Sequence, residues 1–308
     1  MFAALNNRLK SASAKYGPFV GLSVILLLAV LAPLFNHNSD YLAYFRPATL
    51  TGDYGASHYS YNPYPFYWFI WPFAILPATL GAILWNLTNA AGFIFALRYW
   101  KSDLLAFSLS LPCFWILYSG QLEGIIAAAV IMALIGNPLV AGLGLTLLTF
   151  KPQLGLAAIL FVLLRRRDWR PLILPAAVYL LSFIAWGWWI PDWLADIIGK
   201  GSTASVAMTN VSLFPYALLL LLLLWVYRSS LKIWLLVQSL AMPYFPVYSL
   251  APYFTIQPPA AWLSILIWLL YLSAIWIRFP ISPGFIIPLI LLAQALSAAR
   301  RERLTIVS

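Results

Sequence analysis

The sequence predicts an all-α polytopic integral membrane protein, a bundle of about 10–11 transmembrane helices with a long first outer loop and an interfacial helix. Three observations carry this. Hydrophobic residues make up 63% of the 308 residues and charged residues only 8%, where a soluble domain carries about 25% charged. Several apolar windows, Tyr16–Phe35 among them, reach the roughly 18 residues that a helical crossing needs. These runs are too long and too weakly alternating for the dyad-periodic strands of a β-barrel.

Charge and cysteine content narrow the function classes. The net charge of +10 sits at the ends of apolar runs, where the positive-inside bias places it, so no nucleic-acid partner is expected and the bilayer is. The single cysteine, Cys113, lies inside an apolar run and leaves neither a disulfide framework nor a thiolate metal site. The basic start (Arg8, Lys10, Lys15) precedes an apolar run too long for a signal-peptide core, so it reads as a retained first crossing.

In order, Met1–Lys15 reads as a short basic cytoplasmic segment and Tyr16–Phe35 as the first crossing. His37–Phe66 is the outer loop. Pro65–Pro77 is apolar but short, broken by Pro72 and rich in Trp and Tyr, which places it in the interface. Gly81–Leu97, Leu104–Tyr118 and Gly124–Ile135 follow as crossings, with Gly120–Glu123 turning outside and Gly136–Pro138 inside. Leu139–Leu164 reads as a hairpin of two short helices with Lys151-Pro152-Gln153 at its tip. As one helix it would place Pro152 mid-helix, at about 3 kcal/mol, and Lys151 mid-bilayer, at about 2.5–3.5 kcal/mol. It would also move Arg165, Arg166, Arg167 and Arg170 outside. Arg165–Arg170 reads as a topology determinant or anionic-lipid contact. Beyond it, Pro171–Ile190 runs outward, Pro191–Leu213 is a polar loop, Phe214–Tyr227 returns and Ile233–Pro243 goes out again. Pro243–Pro259 is broken by prolines, Ala260–Ile277 returns inward, and Pro283–Ala298 is the last run. This count leaves Arg300, Arg301 and Arg303 outside, against the charge bias. The chain reads as a single membrane domain, 1–308.

The chemistry-bearing residues gather on the outer side. Asp40, Arg46, Asp53 and His58 lie in the long loop, Gln121 and Glu123 at the next turn, and Lys151 and Gln153 at the hairpin tip. Acid, base and amide groups at membrane depth mark a functional site. His37, Asp40 and His58 are too scattered for a usual zinc cluster, and no metal or other cofactor is expected.

Asp40-Tyr41 with Tyr44, then a Gly-containing loop and Tyr61-Asn62-Pro63-Tyr64-Pro65, resembles the first outer loop of the GT-C glycosyltransferases. The Gly120-Gln121 turn, then Lys151-Pro152-Gln153 before an arginine-rich turn, resembles the polyprenyl-phosphate-mannose-dependent mannosyltransferases of glycosyltransferase family 87. Pro243-Tyr244 with Tyr248 is a weaker echo of that group's later motif. The resemblance covers roughly residues 20–170. It implies a catalytic module over 16–170, including the loop 37–66, with variable C-terminal helices over 171–308. It implies transfer of a sugar, mannose first, from a polyprenyl-phosphate donor to a lipid-linked or glycan acceptor on the outer (periplasmic or extracellular) face of the cell membrane, with inversion. By the same resemblance Asp40 is the general base and Lys151 a donor-phosphate ligand. Gln121 and Gln153 position sugar or phosphate, and Arg46, Tyr44, Asn62, Tyr64 and Glu123 line the substrate site. A non-catalytic transporter or flippase of lipid-linked sugars is the alternative, since broken helices and a buried lysine are also transporter features.

Overall fold

The computed structural model describes residues 2–35, 37–54, 62–204, 210–276 and 283–307. Among these, apart from one isolated bridge between Asn210 and Pro246, all regular structure is helical. Helix α1 spans Phe2–Leu34, so the basic start continues into the first apolar run as one helix and does not form a separate segment. A π-helical turn, Tyr41–Phe45, follows and leads into α2, Arg46–Thr51. The segment expected at the interface is α3, Pro65–Ala74, and α4 is Ala78–Trp100.

The run expected as one crossing from Leu104 to Tyr118 is broken. Asp103 caps α5 (Leu104–Ser108) and Ser110 caps α6 (Leu111–Ser119), each side-chain oxygen accepting from backbone N–H groups of the first turn. Helix α7, Glu123–Ile135, leaves α6 at 111°. Such a bend orphans backbone groups that lipid cannot satisfy, and α4 supplies the partners. Trp85 Nε1 donates to Gly120 O at 2.7 Å and Asn86 Nδ2 to Leu117 O at 2.6 Å. Asn89 Oδ1 accepts from Gly124 N at 3.1 Å. The approach is close because Gly92 and Gly124 face each other's helix: a Cβ on either would collide with backbone, the small-residue contact that membrane helices use.

The hairpin at Lys151 is present. Asn137 caps α8, Pro138–Thr149, and α9 is Pro152–Arg166. A Cβ at Gly155 would strike the Leu148 backbone, while at the other end Arg166 Nη1 donates to the carbonyls of Ala133, Leu134 and Gly136 at 3.1, 3.3 and 2.9 Å. The two helices are therefore antiparallel, and the bundle has a Lys151 end and an arginine-rich end.

Helix α10, Ile173–Trp186, continues from a 3-10 turn at Arg170–Leu172. Residues 191–204, expected as polar loop, instead belong to α11, Ile190–Ala204, which departs from the α10 segment at 96°. A 3-10 segment, Tyr216–Leu221, runs into α12, Leu222–Val226, and α13 is Leu231–Ala241.

The proline-broken stretch corrects the count of passes. Within it, the 3-10 turn Val247–Leu250 and α14, Ala251–Ile256, run from the Lys151 end to the arginine-rich end. Ser249 bonds Glu123, while Gln257 accepts from Lys232 and the Ile256 carbonyl from Ser102. Helix α15, Ala261–Trp276, consequently runs toward the Lys151 end, not inward as expected; Arg278 lies outside the described residues. Helix α16, Ile286–Val307, then descends until Ala299 and Glu302 line a cavity with Arg165 and Lys232. Arg300 and Arg301 thus join the other arginines, and the charge conflict disappears.

Among the described residues, three helical segments suffice by length and composition to cross a membrane: Lys15–Leu34, Ala78–Trp100 and Pro283–Glu302. Counting each bent pair as one crossing makes five. Most of the other passes are shorter than the roughly 20 residues of a full crossing.

Candidate active site

Four side chains from three parts of the chain meet at the Lys151 end. Asp40 enters from the start of the π-helical turn. Its position follows from aromatic packing behind it: Phe45 and Phe66 meet edge to face at 5.0 Å, and both pack against Trp85. Gln121 and Glu123 come from the bend between α6 and α7. Gly120 makes that bend with φ +78°. A Cβ there would fall on the Asn38 side chain, so glycine is required both by conformation and by space. Lys151 comes from the hairpin tip.

These groups form one hydrogen-bonded chain. Gln121 Nε2 donates to Asp40 Oδ2 at 2.5 Å. Lys151 Nζ donates to Gln121 Oε1 at 2.9 Å and to Glu123 Oε1 at 2.5 Å. Ser249 Oγ donates to the same Glu123 oxygen at 3.0 Å, and Lys151 Nζ lies 5.3 Å from the centre of the Tyr248 ring. Because an ammonium only donates and an ionised carboxylate only accepts, the Gln121 amide is held one way round, oxygen toward Lys151 and nitrogen toward Asp40. Glu123 is fully buried and Lys151 nearly so, whereas Asp40 and Gln121 are half-buried. The second Glu123 oxygen, Oε2, has no partner among the described residues. Burial pushes the Asp40 carboxyl above its ordinary value, with the Gln121 amide and the Lys151 charge pulling it back.

The structure brings together Asp40, Gln121, Glu123 and Lys151, while Arg46, Asn62, Tyr64 and Gln153 make contacts elsewhere. Arg46 reaches the Leu76 carbonyl at 3.4 Å. Asn62 Nδ2 is committed to the Phe150 carbonyl at 2.8 Å, which ties the segment before α3 to the hairpin tip. Tyr64 stacks on Trp189 at 4.8 Å, and Tyr44 is half-buried on the π-helical turn. Gln153 contributes its backbone carbonyl, which accepts from Gln238 at 2.7 Å. His37 stacks on Tyr118, while His58 and Tyr61 lie outside the described residues. Among the described residues no three His, Cys, Asp or Glu side chains group as metal ligands.

Sequence reasoning missed two residues. Ser249 sits in a proline-broken stretch and gave no signal. Gln238 did: a lone amide in an apolar helix needs partners, and it finds them at the start of α9, accepting from Ala157 N at 2.9 Å as well as donating to Gln153.

The profile of glycosyltransferase family 87 matches residues 59–283, well over half of the chain. Gln121, Glu123, Lys151 and Ser249 fall inside the match and Asp40 precedes it. No curated protein and no solved structure matches the chain.

Proposed function

The chain belongs to glycosyltransferase family 87, and from that premise we propose that this membrane glycosyltransferase moves a sugar, mannose first, from a polyprenyl-phosphate donor to a hydroxyl of a lipid-linked or glycan acceptor on the outer face, with Asp40 as general base. The acceptor oxygen attacks the anomeric carbon as Asp40 takes its proton. The bond from that carbon to the phosphate oxygen breaks, and the electron pair leaves with the polyprenyl phosphate. A single displacement of this kind inverts the anomeric centre, through an oxocarbenium-like transition state. Phosphate departs as a stable anion, so a protonated leaving-group acid is not essential.

The observation that carries this reading is the Asp40–Gln121–Lys151–Glu123 chain. It presents one half-buried carboxylate beside one ammonium, with an amide fixed between them. Desolvation raises the affinity of Asp40 for a proton, which suits a base working near neutral pH. Lys151 acts first as a positioning residue, orienting Gln121 and balancing Glu123. Its third N–H is the one assigned to a donor phosphate oxygen, where it would stabilise charge developing on the leaving group. The positive-inside bias puts the arginine-rich end in the cytoplasm and so the Lys151 end outside.

The test is transfer by the purified full-length protein, reconstituted with a synthetic short-chain polyprenyl-phosphate mannose and a hydroxyl acceptor. An inverted glycosidic product supports the reading. Retained configuration, or movement of the lipid-linked sugar between leaflets without a new bond, would overturn it.

A further inference from the structure

The arginine-rich end carries a second cavity, on the far side of the bundle from Asp40. It is an open groove of ≈ 1030 Å³ between the end of α9 and the segment running through α12, and Arg165, Arg167 and Arg228 line it. Neighbouring basic groups are already engaged: Arg166 on three backbone carbonyls, Lys232 on Gln257, and Arg170 on Asp168. Among the described residues no hydrogen bond or ion pair holds the three groove arginines, so three guanidinium forks converge on a groove whose own lining carries no acidic side chain.

Apart from Ser229, the remaining walls are apolar. Leu221, Leu224, Trp225 and Trp234 line the groove, and Trp225 is 84% and neighbouring Leu222 73% exposed. In a membrane protein such side chains face hydrocarbon, so the groove opens sideways to acyl chains while its arginines gather at one end. Guanidinium forks match phosphate oxygens bidentately. We infer that this groove binds an anionic phospholipid, its phosphate on Arg165, Arg167 and Arg228 and its acyl chains along Leu221, Leu224 and Trp225. A free phosphate ion would satisfy the arginines and leave the apolar wall unused. The site is separate from the donor site: Lys151 and Arg165 lie toward opposite ends of α9, roughly 20 Å apart at 1.5 Å per residue.

The experiment is native mass spectrometry of the purified full-length protein with equal amounts of phosphatidylglycerol and phosphatidylcholine. A parallel arm measures thermal stability in inorganic phosphate. Wild type should retain phosphatidylglycerol selectively and be unmoved by inorganic phosphate. Arg165→Gln with Arg167→Gln and Arg228→Gln should lose that selectivity by on the order of a hundredfold. The triple Lys variant, which preserves the topology-setting charge, should fold and keep part of it. Arg98→Gln with Lys101→Gln removes basic groups from another groove at the same end and should leave selectivity unchanged. Equal loss in that control, undiminished selectivity in the Gln variant, or stabilisation by inorganic phosphate matching the lipid would each overturn the assignment.

Discussion

Breaking and then replacing the Lys151–Glu123 pair separates its structural role from its role in the reaction. The ammonium and carboxylate are 2.5 Å apart and both are buried. At an effective dielectric of about 20, unit charges at that separation attract by roughly 6–7 kcal/mol. Removing one partner strands the other, at about 3–5 kcal/mol after desolvation is counted. Lys151→Met leaves Glu123 with only Ser249, and Glu123→Gln leaves Lys151 with only Gln121 and the Tyr248 face. Each single variant is expected to lower the melting temperature in detergent by on the order of 10 °C. The double variant removes both charges and is expected to recover most of that loss, because a buried pair contributes little net stability over neutral side chains. The recovered double variant is still expected to transfer sugar slowly, since the Gln121 amide has lost the cation that orients it. Additive losses in the double variant would refute the coupling, and wild-type transfer by it would refute the positioning of Gln121.

Three further outcomes follow from the same geometry. Gly120→Ala forces a side chain into a left-handed backbone and onto Asn38; it is expected to cost about 1–3 kcal/mol and most of the transfer activity, measured by thermal melting and product formation. Asn62→Ala removes the buried bond to the Phe150 carbonyl, at about 1–3 kcal/mol, and is expected to speed hydrogen exchange at the hairpin tip in mass-spectrometric mapping. Because burial raises the Asp40 carboxyl, transfer should fall as pH drops through that raised value. By linkage, a group whose folded pKa exceeds its unfolded one costs stability as pH rises through it, so Asp40→Asn should melt above wild type at neutral pH and converge with it in acid.

Much of the fold was legible because bilayer physics constrains it tightly. A proline after a lysine in an apolar run has few tolerable placements, and the hairpin at Lys151-Pro152 followed from that together with the positive-inside placement of Arg165, Arg166, Arg167 and Arg170. The convergence of Asp40, Gln121, Glu123 and Lys151 was legible because each polar group fell at a turn on the same side. Their bonding order was not, since nothing in the spacing shows that Glu123 takes the ammonium while Gln121 spans to Asp40. The stretch from Pro243 to Pro259 misled the count for a physical reason. Its prolines rule out one continuous helix, but a 3-10 turn joined to α14 still carries the chain from Glu123 to Lys232. Asn62 and Arg46 were expected at the substrate because the family resemblance implied it. They instead satisfy backbone carbonyls at Phe150 and Leu76, a need that appears only once the helices are packed.

Sugar transfer by Asp40→Asn, beside wild type and with donor binding measured on the same preparation, tests the base assignment most directly. General-base removal is expected to slow transfer by about 10²–10⁴-fold while donor affinity stays near wild type, because Asn keeps the shape and loses only the charge. Transfer at the wild-type rate would contradict the assignment of Asp40 as the group that takes the acceptor proton.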